Sequence, residues 1–156
     1  MKGHVMRDRR QMTIPRANER GAGPAEKVVW EKPPYDLLER TARFGEAVLR
    51  FAMTLPRNVV TSPLIVQLVK AGTSVGSNYG EADEASSKKD FRHRITIARR
   101  EARESKYWLR MVVVPCPDRR DEAAVLWDEA HQLHKIFSRI VHTCDGKPRP
   151  GEARSR

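Results

Sequence analysis

Four consecutive segments of the chain place apolar residues at steps of three and four, and this spacing constrains the fold more than any other feature. Residues at those steps share one face of an α-helix, whereas a half-buried strand would alternate apolar and polar residues. No alternating segment competes with the helical pattern. Because the connections between the segments are short, the sequence predicts an all-α fold, an antiparallel up-down-up-down four-helix bundle over residues 35–144.

Capping residues and prolines mark the ends of the predicted helices. Ser62 followed by Pro63 is expected to cap the second helix and to fill its first helical position. Ser87 and Asp90 form a capping-box-like pair that starts the third helix, and Pro115 ends it. In the fourth helix the residues expected to face the core include Val125, Leu126, Glu129, Leu133 and Phe137.

Small and polar residues interrupt the second helix where leucine, glutamate or lysine would be usual. A glycine inside a helix costs about 1 kcal/mol relative to alanine, so packing must offset it. The simpler interpretation is that small side chains let a neighbouring helix approach closely. The alternative is that Asn78 anchors a buried polar network that fixes the register between helices or between subunits. The residues assigned to this contact are Gly72, Ser74, Gly76, Ser77 and Asn78.

The net charge of +10 is distributed unevenly along the chain. Residues 1–34 carry eight Lys/Arg against four Asp/Glu and, lacking periodicity, are predicted to be a disordered basic arm. Residues 145–156, with four against two, are predicted to be a second disordered tail. Residues 86–114 hold nine Lys/Arg against three acids. Basic charge concentrated on one helix and on tails is typical of a surface that binds polyanions.

Four arginines of the predicted third helix fall at steps of seven, four and seven residues. They therefore lie within about 40° of one another on one stripe about 27 Å long, which could follow successive phosphates. The alternative is a solubilising face, partly neutralised by acids of neighbouring helices such as Glu81, Asp83 and Glu84. Nothing in the pattern reads base edges, so binding would depend on backbone charge. The residues assigned to nucleic-acid binding are Lys88, Lys89, Arg92, Arg99, Arg100, Arg103, Lys106 and Arg110.

The third helix has a second apolar side, rotated away from the inner one. A helix that is apolar on two sides needs two partners, which predicts an oligomer contact. That side comprises Ile97, Trp108 and Val112, with Met111 next to them. The alternative is a wider core within the monomer. The residues assigned to the oligomer contact are Ile97, Tyr107, Trp108 and Met111.

Two histidines of the fourth helix, His131 and His134, have the spacing of a chelating pair. A dimetal centre in a helical bundle needs Glu-x-x-His on two helices and two further carboxylates, and only Asp128-x-x-His131 comes close to that motif. The sequence therefore predicts no metal and no cofactor. It also lacks a Gly-rich phosphate loop and a nucleophile with its base, so the chain is not expected to be an enzyme.

The two cysteines, Cys116 and Cys144, lie at opposite ends of the predicted fourth helix. Such a helix holds its ends about 35–40 Å apart, too far for a disulfide. Reduced thiols, the lack of a signal peptide and the lack of a long apolar run predict a cytoplasmic protein without a membrane partner.

Several runs of the chain resemble a known family. SNYGEA, SKKDF and EARESKYWL, together with DEAHQLHKIFSRIV, are similar to the four-helix bundle proteins also called 23S rRNA intervening-sequence or S23-type proteins. The resemblance extends from about Tyr35 to Thr143 and implies a ring-like homopentamer without enzymatic activity. The accessory variability determinant of diversity-generating retroelements is a similar protein, a basic pentamer that binds nucleic acid and a reverse transcriptase.

The residues and the resemblance together predict a non-enzymatic, homo-oligomeric helical scaffold. It is expected to bind RNA or DNA without sequence specificity, as an accessory to a reverse transcriptase or to rRNA. The alternative is a pure assembly or protein-interaction module whose basic surface does not bind nucleic acid.

Overall fold

Four α-helices account for most of residues 36–146, the part of the chain that the computed structural model describes. They are α1 (Leu37–Thr54), α2 (Thr61–Asp83), α3 (Lys88–Val112) and α4 (Arg120–Cys144), with a turn of 3-10 helix, Pro117–Arg119, before α4. This part contains no strand, so the predicted all-α fold with four helices is confirmed. The predicted arm at 1–34, and the predicted tail beyond residue 146, lie outside the described residues. None of the helices within 36–146 combines the length and the apolar character needed to cross a membrane.

The helix starts are set by short polar side chains, and one of them differs from the prediction. Ser87 accepts a hydrogen bond from the backbone N of Asp90 at 3.1 Å, which confirms the predicted cap of α3. At α2, however, the Asn58 side chain accepts from the backbone N of Thr61 at 3.0 Å, and no side chain caps the helix at its N-cap residue. The prediction that Ser62 is the cap is wrong because an asparagine side chain can reach a backbone N–H two or three residues on. Pro63 is consequently the third helical residue.

The core is made by one face of each helix, and it follows the predicted periodicity except at the start of α4. Leu68, Ile95 and Leu133 are fully buried, and burial of each such side chain contributes about 1.5–3 kcal/mol. Val125 was expected inside but is 62% exposed. The neighbouring small residue Ala123 is buried instead, so α4 turns its alanine side towards the other helices.

The small residues of α2 bring its backbone close to α1. A Cβ placed on Gly72 would lie 2.7 Å from Cγ1 of Val48, and one on Gly76 would lie 3.2 Å from the backbone O of Thr41. Gly45 of α1 lies opposite, but its Cβ would be 3.6 Å from the backbone O of Gly72, an ordinary contact distance. These distances leave no room for side chains at Gly72 and little at Gly76, so close helix packing explains both glycines.

The polar residues of the same stretch do not bridge α1 and α2. Asn78 donates to the backbone O of Ser74, one turn earlier in its own helix, at 2.8 Å. Ser74 is half-buried, and Ser77 is exposed. Within the described residues, the hydrogen bond of Asn78 therefore stabilises α2 itself, and the network proposed between helices is not formed. A role for Asn78 between subunits stays a prediction.

A bidentate ion pair joins α1 to α4. Arg40 donates from Nε to Oε1 of Glu129 at 2.6 Å and from Nη2 to Oε2 at 2.9 Å. It also donates to the side-chain oxygen of Gln132 at 2.9 Å. The pair explains why a glutamate occurs on the broadly apolar side of α4, since its charge is compensated when the helices meet.

Candidate nucleic-acid interface

The arginine stripe of α3 lies along the side of the helix that faces α4. Ile95, Ala102 and Leu109 point into the core, and helical geometry places the stripe about 90° from them. Two contacts identify the neighbouring helix: Arg92 pairs with Asp145, just after α4, and Lys106 contacts an α4 side chain. The stripe and α4 thus form one surface.

Carboxylates within residues 36–146 neutralise only one end of this stripe. Arg92 donates from Nη2 to Oδ2 of Asp145 at 3.2 Å, and Nε makes a second bond to the same carboxylate. Arg99, Arg103 and Arg110 have no ion pair with any carboxylate within residues 36–146. Arg103 and Arg110 are exposed, and Arg99 is half-buried.

The acids predicted to neutralise the stripe do not reach it. Glu81 of α2 pairs instead with Arg94, a residue on the other side of α3 that was not assigned to the surface. Asp83 and Glu84 are exposed at the end of α2. Among the described carboxylates, Asp145 contacts the stripe, because the end of α4 lies beside the first turns of α3.

The basic residues assigned to one side divide into two groups. Lys88 and Lys106 lie within about 40° of the centre of the stripe. Lys89 and Arg100 lie about 60–80° from that centre, on the side turned away from α4. Arg100 also approaches Glu101 in its own helix, with 3.8 Å between Nη2 and Oε1. The surface facing α4 is therefore narrower than predicted.

Trp127 and His131 of α4 hold Lys106 in place. The ammonium Nζ lies 3.1 Å from Nδ1 of His131 and 4.8 Å from the centroid of the Trp127 ring. The rings of Trp127 and His131 stack with centroids 5.3 Å apart and an interplanar angle of 18°. Because an ammonium only donates, Nδ1 of His131 accepts in this contact, which leaves the ring N–H at Nε2.

His134, one turn further along α4, lies in a positive field. Burial lowers its pKa from the ordinary value of 6.5, and the charges of Lys106, Arg99 and Arg103 lower it further. The arginine stripe therefore acts electrostatically on α4.

The histidines were predicted separately from the arginine stripe, but the structure joins them. Trp127, His131 and His134 recur at steps of four and three, so they share one side of α4. The sequence contains that spacing, but it does not say which helix this side of α4 contacts. The Nδ1 atom of His131 is occupied by Lys106, and residues 36–146 contain no group of three or more metal-ligating side chains.

The second apolar side of α3 is partly absorbed by the monomer. Val112 is 1% exposed, and Trp108 packs against the core, as the wider-core alternative expects. Ile97 and Met111 are half-buried. Tyr107 is 55% exposed and meets Trp108 edge-on, with ring centroids 4.9 Å apart. The outer part of the predicted oligomer contact is thus centred on Tyr107.

These features define an all-α bundle protein that carries a row of basic side chains on α3, beside α4. The chain belongs to the 23S rRNA-intervening sequence protein family, whose model matches residues 35–139, so the resemblance seen in the sequence is confirmed. A crystal structure of a protein of unknown function from the S23 ribosomal protein family of Bacteroides thetaiotaomicron is similar to it. That likeness has a TM-score of 0.59 and 23% identity, and covers 68% of this chain and 98% of the other. It shows the shared fold. No curated protein matches the chain.

Proposed function

We propose that the protein is a non-enzymatic, homo-oligomeric scaffold that binds RNA or DNA through the basic side of α3. The observation that carries this proposal is that Arg99, Arg103 and Arg110 have no carboxylate partner within residues 36–146. Elsewhere in the bundle Arg43 and Arg94 each pair with a carboxylate. A row of uncompensated guanidinium groups gains most from an external anion, and guanidinium groups can bind phosphate through two parallel hydrogen bonds.

The length of the row suits a polyanion better than a single small anion. From Arg99 to Arg110 the helix rises about 16 Å, and duplex DNA carries one negative charge per about 1.7 Å. Several phosphates can therefore lie along it. Contacts of arginine and lysine side chains with phosphates carry no information on the base sequence. Binding through this row should therefore not depend on the sequence of the nucleic acid. The family's description refers to 23S rRNA, so RNA is the first ligand to test.

A salt titration with matched charge reversals tests the proposal. Labelled RNA and labelled duplex DNA are titrated at rising salt with the unaltered protein, with Arg99→Glu plus Arg103→Glu, and with Arg50→Glu plus Arg57→Glu. The control pair makes the same change in net charge near the end of α1. Loss of two phosphate contacts should lower the slope of log affinity against log salt by about two and weaken binding at least about tenfold.

The control variant should keep most of the affinity and most of the slope. Affinity that does not change with salt would remove the proposal. So would equal behaviour of the two double variants, because net charge rather than the α3 surface would then govern binding.

A protein-interaction module without nucleic-acid binding is the second candidate. It is favoured by exposed apolar side chains at the bundle end where α1 meets α2 and α3 meets α4: Met53 is 80% exposed, Val59 94% and Val114 75%. An exposed apolar patch is typical of a contact surface, so the candidate requires these side chains to act together. Pull-downs from nuclease-treated lysate separate the candidates, because a protein partner survives the nuclease and a nucleic-acid bridge does not.

The oligomer is part of the proposal, with the ring-like homopentamer as its expected form. Tyr107, with Ile97, Trp108 and Met111 beside it, is its proposed contact. Light scattering of the unaltered protein and of Tyr107→Asp measures the subunit number and its dependence on this surface. A reverse transcriptase as partner, and the reducing cytoplasm as location, stay predictions. Cys116 and Cys144 are both free thiols in the structure.

A further inference from the structure

We propose that a phosphate group of the bound nucleic acid is held between α3 and α4, on Arg99, Arg103, Lys106, His131 and His134. This inference rests on the proposed nucleic-acid binding and assigns the two histidines of α4 to the interface. It also predicts that binding is coupled to protonation at His134.

Lys106 is the first reason for placing a phosphate here. Its ammonium group has no carboxylate partner within residues 36–146, and its described partners are the Nδ1 atom of His131 and the face of Trp127. A neutral acceptor and a π face compensate a cation less than a carboxylate does. An incoming phosphate would supply the missing negative charge without displacing an existing ion pair.

The stacking of Trp127 on His131 is the second reason. It fixes the imidazole plane, and the Lys106 contact leaves the proton on Nε2, so His131 presents a donor at its other nitrogen. Donors that are already oriented lose little freedom when the ligand arrives. His131 can thus donate from Nε2 to a phosphate oxygen.

His134 is the group that titrates when the ligand arrives. Burial, and then the charges of Lys106, Arg99 and Arg103 on α3, lower its pKa in the free protein. A phosphate among these charges favours the imidazolium and raises the pKa. Binding therefore takes up protons, and by linkage it tightens as the pH falls.

Other charged groups near the histidines do not supply this coupling. On α4 itself, Asp128 and Lys135 are exposed, and Asp128 makes no ion pair with either histidine. From α1, Arg40 contacts α4 through Glu129, which is directed away from α3. The charges that lower the pKa of His134 are the α3 cations Lys106, Arg99 and Arg103.

Without a ligand the same group has the opposite effect on stability. The pKa of His134 is lower in the folded chain than the unfolded value of about 6.5, so its contribution to stability is lost as the pH falls below about 6.5. Acid should therefore weaken the free fold while it strengthens binding. The stability of the free protein and its affinity for the ligand should therefore change in opposite directions with pH, so tighter binding in acid is not a result of acid destabilisation.

The experiment measures the affinity of an oligouridylate, whose bases do not titrate in this range, from about pH 8 to about pH 5.5 at constant salt. The variants are His134→Gln and His93→Gln, the latter altering an exposed histidine of α3 that is turned away from α4. Because uptake of one proton changes the affinity by at most about tenfold per pH unit, binding of the unaltered protein should tighten several-fold towards the acidic end. His93→Gln should keep that dependence, and His134→Gln should lose most of it.

Proton NMR of the imidazole Cε1–H signals gives an independent readout. The pKa of His134 should rise when the oligouridylate is added, whereas that of His93 should change much less. A pKa of His134 that does not move, or an affinity with the same pH dependence in both variants, would overturn the phosphate site. The salt-dependent binding through Arg99 and Arg103 would then still stand. Absence of binding at every pH and salt concentration would overturn the proposed function as well.

Discussion

Replacing Gly72 with alanine should destabilise the bundle, although alanine is the better helix former. The added Cβ would lie 2.7 Å from Cγ1, 2.9 Å from Cγ2 and 3.0 Å from Cβ of Val48. Val48 is fully buried and branched at Cβ, so its methyl groups cannot rotate away without entering the rest of the core. The two helices would have to move apart.

Two opposing effects give the magnitude. Alanine in place of glycine within a helix stabilises it by about 1 kcal/mol. Forcing an extra carbon into a well-packed core costs about 1–3 kcal/mol. The expected net loss in the free energy of unfolding is therefore about 1 kcal/mol, and at most about 2 kcal/mol.

Urea denaturation at one fixed protein concentration measures the effect, with two glycines as controls. A Cβ on Gly45 would lie 3.6 Å from its nearest neighbours, and one on Gly80 would lie 3.6 Å from Cδ1 of Leu38, which are ordinary contact distances. Gly45→Ala and Gly80→Ala should therefore stabilise the protein by up to about 1 kcal/mol. The sign of the change should differ between these controls and Gly72→Ala.

A second substitution tests the mechanism. In a Val48→Ala background the methyl groups at 2.7 and 2.9 Å are gone and the contact at 3.0 Å with Cβ remains, so Gly72→Ala should be less destabilising there than in the unaltered protein, as expected for residues in contact. If Gly72→Ala instead stabilises the unaltered protein as much as Gly80→Ala does, the close approach of α1 and α2 at this point is refuted.

Two further stability predictions concern the α1–α4 ion pair and the start of α2. Glu129→Gln should lower the free energy of unfolding by about 1–2 kcal/mol, because the bidentate pair with Arg40 is partly buried. Glu46→Gln breaks an exposed pair and should change the free energy of unfolding by less than about 0.5 kcal/mol. Asn58→Ala should cost about 1 kcal/mol, and Ser62→Ala should have little effect because Ser62 does not cap the helix. Thermal melts compare each pair, and an equal loss within either pair would contradict the assignment.

The sequence by itself determined the four helices and most of the residues that face the core. Apolar periodicity acts within a few turns of one segment, and the Ser87 cap involves residues three apart, so both are local. The tight packing at Gly72 was also predictable, because glycines in a helix interior need a compensating contact. The predicted cap at Ser62 was wrong, because the side chain of Asn58 accepts from the first backbone N–H of α2 from the preceding loop.

Only the tertiary structure decided which helix each outer face meets. The rotation of α4 about its axis buries Ala123 rather than Val125. It also directs Glu129 towards Arg40 of α1 and places His131 beside Lys106 of α3. A helical pattern fixes the angles between residues of one helix, whereas the angle between helices depends on how all the side chains of the core fit together. The basic stripe was therefore visible in the sequence, but its position beside the histidines depended on that fit.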